Sequence, residues 1–255
     1  MSMFKKTTLA LAISALAGGA LAQSAPAPAP APAPATSPIT ANVTVVNDYR
    51  YRGMTQSNFK PAIQGGFDYS HESGFYIGNW NSSVSSSVYT NGSGVESDVY
   101  AGYKKEIYKG LTLDVGSYNY FYPRASVAKT NYDTKEIYAG VAKGPVSVKV
   151  SQSLGDYFAT SNSRGTRYFQ ADVTYPVAGT KVSVLAHAGK TDVANNTASD
   201  YTDYNFGLGY NIAGFDISAK YYANTNKTST FQTANTLNGQ KLYKNAAVLS
   251  VSKTF

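Results

Sequence analysis

The chain has 255 residues, 43% of them hydrophobic and only 15% charged, with a formal net charge of +7. It lacks cysteine, which excludes a disulfide framework, a thiolate nucleophile, a Cys-based metal site and a lipoprotein anchor. No stretch approaches the ~18 consecutive apolar residues of a transmembrane helix, and the basic residues are scattered, which argues against nucleic acid as a partner.

In chain order, the first expected element is an export signal over residues 1–22. Lys5-Lys6 supply a positive start, Leu9 to Leu16 an apolar core too short to span a bilayer, and Ala20-Leu21-Ala22 a small-residue cleavage site before Gln23. Cleavage there leaves 20 basic against 15 acidic residues. Residues 23–41 read as an Ala/Pro-rich spacer. Proline at every second position from Ala25 to Ala35 forbids helix and deprives a sheet of donors, so a polyproline-II-like periplasmic extension is expected, passive or engaged with a partner.

From residue 42 to 255 the alternation has period two. Strands are expected at Val43–Arg52, Ala62–Ser70, Phe75–Val84, Val95–Lys104, Leu111–Tyr122 and Tyr132–Ala142, then at Val146–Leu154, Thr166–Tyr175, Lys181–Gly189, Tyr201–Asn211, Phe215–Ala223 and Lys241–Phe255. Each approaches the ~9–11 residues of a tilted membrane strand. Short connections such as Lys143–Pro145 and Ile212–Gly214 alternate with long polar ones such as Gly53–Pro61 and Gly155–Gly165. That rhythm predicts an all-β fold, a closed antiparallel outer-membrane barrel of about twelve strands with short periplasmic turns and longer outer loops. In the segment from Val146, Val148 and Val150 oppose Ser147, Lys149 and Ser151, so one row suits lipid and the other a lumen. In the first segment Val43, Val45, Tyr49 and Tyr51 share the apolar row, and Tyr49, Tyr51, Tyr69, Tyr103, Tyr175, Tyr210 and Tyr221 are expected at the lipid–water boundary. The final strand carries Leu249, Val251 and a terminal Phe255, the pattern of a C-terminal assembly signal, which makes membrane lipid and the outer-membrane barrel assembly machinery the expected partners.

The blocks Asn47-Asp48-Tyr49-Arg50-Tyr51-Arg52-Gly53-Met54-Thr55-Gln56-Ser57 and Pro61-Ala62-Ile63-Gln64-Gly65-Gly66-Phe67-Asp68-Tyr69 resemble the opening signature of the TorF-family porins, earlier catalogued as the conserved hypothetical bacterial family Gcw_chp. Gly74 to Trp80, Asp98 to Tyr103 and Glu136 to Gly140 continue the likeness, with Thr55 where the family more often has serine. The resemblance implies an outer-membrane location in a Gram-negative envelope and a porin role, without naming a solute.

Catalytic signals are sparse. His71 sits in an expected short turn, and His187 has lumen parity toward the outer end of its strand, where a barrel hydrolase would need a serine beside it. Gly65-Gly66 and Gly207-x-Gly209 lack the strand–helix setting of a phosphate loop, and Asp98, Asp114, Asp172, Asp203 and Asp216 lack calcium-ligand spacing. No enzyme activity, cofactor or metal is therefore expected. The leading reading is a channel for ions or small polar solutes, with Asp48, Arg50, Arg52, Glu136 and His187 lining it; Arg50 paired to Asp48 is the blander role for that arginine. The alternative is a structural or interaction barrel, which a filled interior would favour.

Overall fold

A computed structural model describes residues 37–225 and 228–255, so the export signal and the spacer through residue 36 lie outside the described residues. Twelve antiparallel strands close into a single barrel: β1 (Ile39–Val46), β2 (Ala62–Ser70), β3 (Phe75–Ser83), β4 (Val95–Tyr108), β5 (Leu111–Phe121), β6 (Thr134–Lys143), β7 (Val146–Ser153), β8 (Arg167–Pro176), β9 (Val182–Asp192), β10 (Tyr201–Ile212), β11 (Phe215–Asn224) and β12 (Ala246–Thr254). Each strand pairs with its sequence neighbours, and β12 returns to β1 in the register Asn42↔Thr254 through Val46↔Ser250. Reciprocal bonds between Phe255 and Ala41 (2.8 and 3.1 Å) extend that seam by one residue. Closure leaves no open sheet edge, which is what lets strands cross hydrocarbon.

The two faces part as the alternation dictates. Phe67, Ile77, Phe206, Leu208 and Leu249 point outward and are 51–62% exposed. Apolar exposure on this scale is rare on soluble monomers and suits a lipid-facing surface. Thr44, Gln64, Ser82, Asp98, Glu136 and Asp203 point inward and are buried. Inward glycines leave room for ring systems on neighbouring strands: a Cβ at Gly116 would stand 2.6 Å from the Tyr138 hydroxyl and 2.4 Å from the Ala101 carbonyl. Tyr69, Tyr175, Tyr210 and Tyr221 are exposed on the outer face, and Tyr103 packs edge-on against Phe75 (5.0 Å).

The start of β1 at Ile39 and the C-terminal residue Phe255 lie at the end with short turns. Two of these, Lys109-Gly110 and Ala213-Gly214, have both residues at positive φ, the two-residue geometry whose twist matches that of the strands. The other end carries the long connections. The last of them contains a short helix α1 (Ser229–Ala234), capped by the Thr228 side chain, whose buried Phe231 packs on Tyr201 and Tyr243 (5.1 Å each).

Several strand limits differ from the sequence expectation. β1 begins at Ile39, so residues 39–41 of the expected spacer pair with Tyr69, Asp68 and Phe67 inside the barrel. β4 runs past Lys104 to Tyr108, with a bulge between Glu106 and Tyr108, because the pairing with β5 continues to the Lys109-Gly110 turn. β12 starts at Ala246 rather than Lys241; Gln240–Lys241 instead pairs with Thr236–Leu237 in a small ribbon. The largest difference is at β1, which ends at Val46 rather than Arg52.

Candidate pore and the hairpin that crosses it

Asn47 terminates β1. Its backbone N–H and side-chain carbonyl both bond to Leu249 of β12 (3.1 and 2.8 Å). The chain then turns into the lumen. Asp48 draws the next segment into a tight knot: Arg50 Nε donates to one carboxylate oxygen at 2.6 Å, and the hydroxyls of Thr55 and Ser57 donate to the other. Arg50–Tyr51 and Met54–Thr55 form a two-residue ribbon, reversed at Arg52-Gly53 with φ of 46° and 77°. Tyr49 and Tyr51, expected on the lipid boundary, are therefore buried inside, at 2% and 8% exposure. Alternation assigned them correctly relative to one another but not to a wall, because the wall had already ended.

This hairpin spans the bore. Arg52 meets Glu136 on β6, five strands round from β1 in a ring of twelve, through two parallel bonds of 2.9 and 2.7 Å. The same guanidinium donates to the Tyr157 hydroxyl at 3.0 Å and lies 4.1 Å from the ring centre of Tyr168 on β8. Tyr51 donates to Tyr120 (2.8 Å), which donates to Glu136 (3.3 Å). At the tip, a Cβ on Gly53 would stand 2.6 Å from Asp203 Cβ on β10, so only glycine fits against that wall. Arg50 also braces the hairpin through the Gly53 carbonyl (3.1 Å), and the hairpin is tied to the outer loops where Arg50 donates to the Lys244 carbonyl (2.8 Å) and Tyr89 donates to Gln56. Burial raises the phenol pKa values of Tyr89 and Tyr157, so both remain protonated.

The residues expected to line the lumen all point into it, but in two groups. Asp48, Arg50, Arg52 and Glu136 form the ion pairs of the hairpin and its far anchor, 2.6 Å for Asp48–Arg50 and 2.7 Å for Arg52–Glu136. The Asp48–Arg50 contact is the pairing foreseen as the blander role for that arginine. His187 stands apart, midway along β9 rather than toward its outer end, between Asp172 (2.6 Å) and Asp203 (3.1 Å), with the Tyr168 hydroxyl at 2.9 Å. A ring of tyrosines absent from the sequence expectation fills the remaining space: Tyr100 and Tyr118 stack at 5.1 Å, and Tyr122 donates to Glu96 at 2.7 Å. Their parity with Asp98, Asp114 and Glu96 was the available signal. Toward the short turns the lumen is looser, with half-buried Lys104, Asp114, Tyr138 and Lys149 on its wall. Among the described residues no group of three or more His, Asp or Glu side chains is arranged to hold a metal ion. Leu249, Val251 and Phe255 all face outward beside the seam, whereas Ala20, Ala22 and Gln23 lie outside the described residues.

A closed up-and-down barrel with an apolar belt, a polar interior and a folded-in loop places the molecule in the class of transmembrane β-barrels. The chain belongs to the family described as a bacterial protein of unknown function, Gcw_chp, which matches residues 30–255. No curated protein matches it in sequence. Among solved structures it resembles the KdgM porin, with a TM-score of 0.50 at 9% identity over 85% of this chain and 97% of that one. It resembles a structure of the NanC porin equally, with a TM-score of 0.51 at 9% identity over 85% and 98%. At that identity the likeness is one of fold.

Proposed function

We propose that this protein is a porin-like channel of the bacterial outer membrane, passing ions or small polar solutes through a bore narrowed by its own first long loop, as the TorF-family resemblance also implies. The observation that carries the reading is the hairpin of residues 48–57, which crosses a polar lumen and is anchored by paired charges as well as by aromatic packing of Tyr49 on Trp80 and Tyr51 on Tyr120. Opposed charges at a constriction set up a transverse field that orients polar solutes and biases ions. Porin-type barrels of the same fold support both the channel and the outer-membrane location. In this reading Arg52 and Glu136 form the constriction, His187 with Asp172 and Asp203 lines the path beside it, and Leu249, Val251 and Phe255 direct assembly.

The density of the loop-side interior favours a second reading, a closed barrel that acts through its outer surface. Purified protein in a planar bilayer separates the two. Discrete conductance steps from heat-modifiable barrel are expected; a silent bilayer with the same folded protein would overturn the channel reading.

A further inference from the structure

A recess lies between the root of the hairpin and the wall of β1, β2, β11 and β12. Asp48, Arg50, Gln64, Ser218, Lys220 and Tyr222 are among its lining residues, and it has room for roughly two water molecules. Its charges do not balance. Asp48 is already engaged at both oxygens, by Arg50 Nε and by the Thr55 hydroxyl. Arg50 spends Nη1 on the carbonyls of Gly53 and Lys244, but its Nη2 is buried and has no hydrogen-bond partner. Lys220 enters the same recess from β11 and makes no ion pair or hydrogen bond among the described residues. The carboxylate whose field reaches Lys220 is Asp172, and its oxygens are held by His187 (2.6 Å) and Gln170 (2.8 Å). Two cations and one satisfied carboxylate leave one positive charge without a counter-charge, an arrangement that is costly away from bulk water.

We propose that this recess is a small-anion site, in which chloride or the carboxylate end of a solute is held between Arg50 Nη2 and Lys220 Nζ. The donors suit that chemistry: a guanidinium edge with a free N–H and an ammonium with three donors, beside the Ser218 and Ser250 hydroxyls, which bond each other at 2.8 Å and between them keep one hydrogen to offer. The size of the recess excludes bulkier anions such as sulfate with its full hydration. The site deepens the channel reading by placing an anion next to the constriction, and it rests on that reading for its role in conduction but not for binding.

Chloride-35 line broadening on the detergent-solubilised full chain tests it. Wild-type barrel should show excess linewidth that saturates with chloride and is removed by acetate. Lys220→Met should lower the excess by roughly tenfold, the loss of one charge-assisted contact, while Lys220→Arg and the exposed Lys181→Met keep it. Excess that acetate does not displace would restrict the site to halide and overturn the carboxylate half of the proposal. No saturable excess in wild type, or full excess in heat-modifiable Lys220→Met, would overturn it entirely. A barrel that conducts but shows no saturable broadening removes this site alone; one that binds chloride but is silent in a bilayer removes the channel reading alone.

Discussion

Replacing Arg52 by alanine should unseat the hairpin and widen the pore. The guanidinium makes two bonds to Glu136 and one to Tyr157 at 2.7–3.0 Å, and both partners of the ion pair are at most 5% exposed. Removing one member of a buried pair costs about 3–5 kcal/mol, because the other charge is left uncompensated. Glu136 would keep a single donor, the Tyr120 hydroxyl. That cost shifts the ratio of seated to displaced hairpin by roughly two to three and a half powers of ten. Single-channel recording should then show larger steps with more frequent substates, and amide exchange across residues 49–57 should accelerate. Arg52→Met combined with Glu136→Met removes both charges together and should restore seating to near the wild-type level, because the penalty belongs to the orphaned carboxylate rather than to the pair. Unchanged conductance and unchanged exchange in Arg52→Ala would refute the assignment of this ion pair as the anchor of the constriction.

Three further outcomes follow from the wall and the seam. Val148, third of the eight residues of β7 and 46% exposed on the outer face, should tolerate arginine poorly, at up to about 2–4 kcal/mol in lipid refolding titrations, whereas inward Ser147→Arg should cost far less; equal costs would invalidate the face assignment. Gly66→Ala should destabilise the barrel by about 1–3 kcal/mol in the same titration, since the new methyl carbon would stand 2.0 Å from the Asn79 carbonyl oxygen, a backbone atom with little freedom to yield. Deleting Phe255 removes both of its bonds to Ala41 and the last outward ring; the truncated chain should collect in the periplasm in a protease-sensitive form, and normal levels of heat-modifiable barrel in outer-membrane fractions would count against an assembly role.

The wall was legible in the sequence because its code is local. Val146, Val148 and Val150 against Ser147, Lys149 and Ser151 state a strand with two unlike faces, and the rhythm of short and long connections states how such strands follow one another. The hairpin was not legible. Asp48-Tyr49-Arg50-Tyr51-Arg52 continues the period of β1 without a break, and a two-residue ribbon has the same period as a barrel strand. What diverts the chain is the reversal at Arg52-Gly53 together with contacts to Glu136 and Tyr157, 84 and 105 positions away. Only tertiary geometry carries that information, so the charges were expected in the lumen while the element bearing them was misjudged. The tyrosines show the same division. Tyr69 and Tyr175, at strand ends, do face outward, but parity could not place Tyr49 once the wall had stopped at Val46.

The hairpin also fixes an order of events during folding. It lies between β1 and β2, among the first residues of the barrel to be synthesised, yet its docking surfaces are Glu136 on β6, Tyr168 on β8, Asp203 on β10 and the carbonyl of Lys244 just before β12. Contacts of such long sequence separation form late, after the loops between them have been closed. The segment must therefore wait for its distant partners while eleven further strands assemble around it. Its burial reports that the ring has closed, since Arg52 finds its partners on β6 and β8 and Arg50 one of its own just before β12.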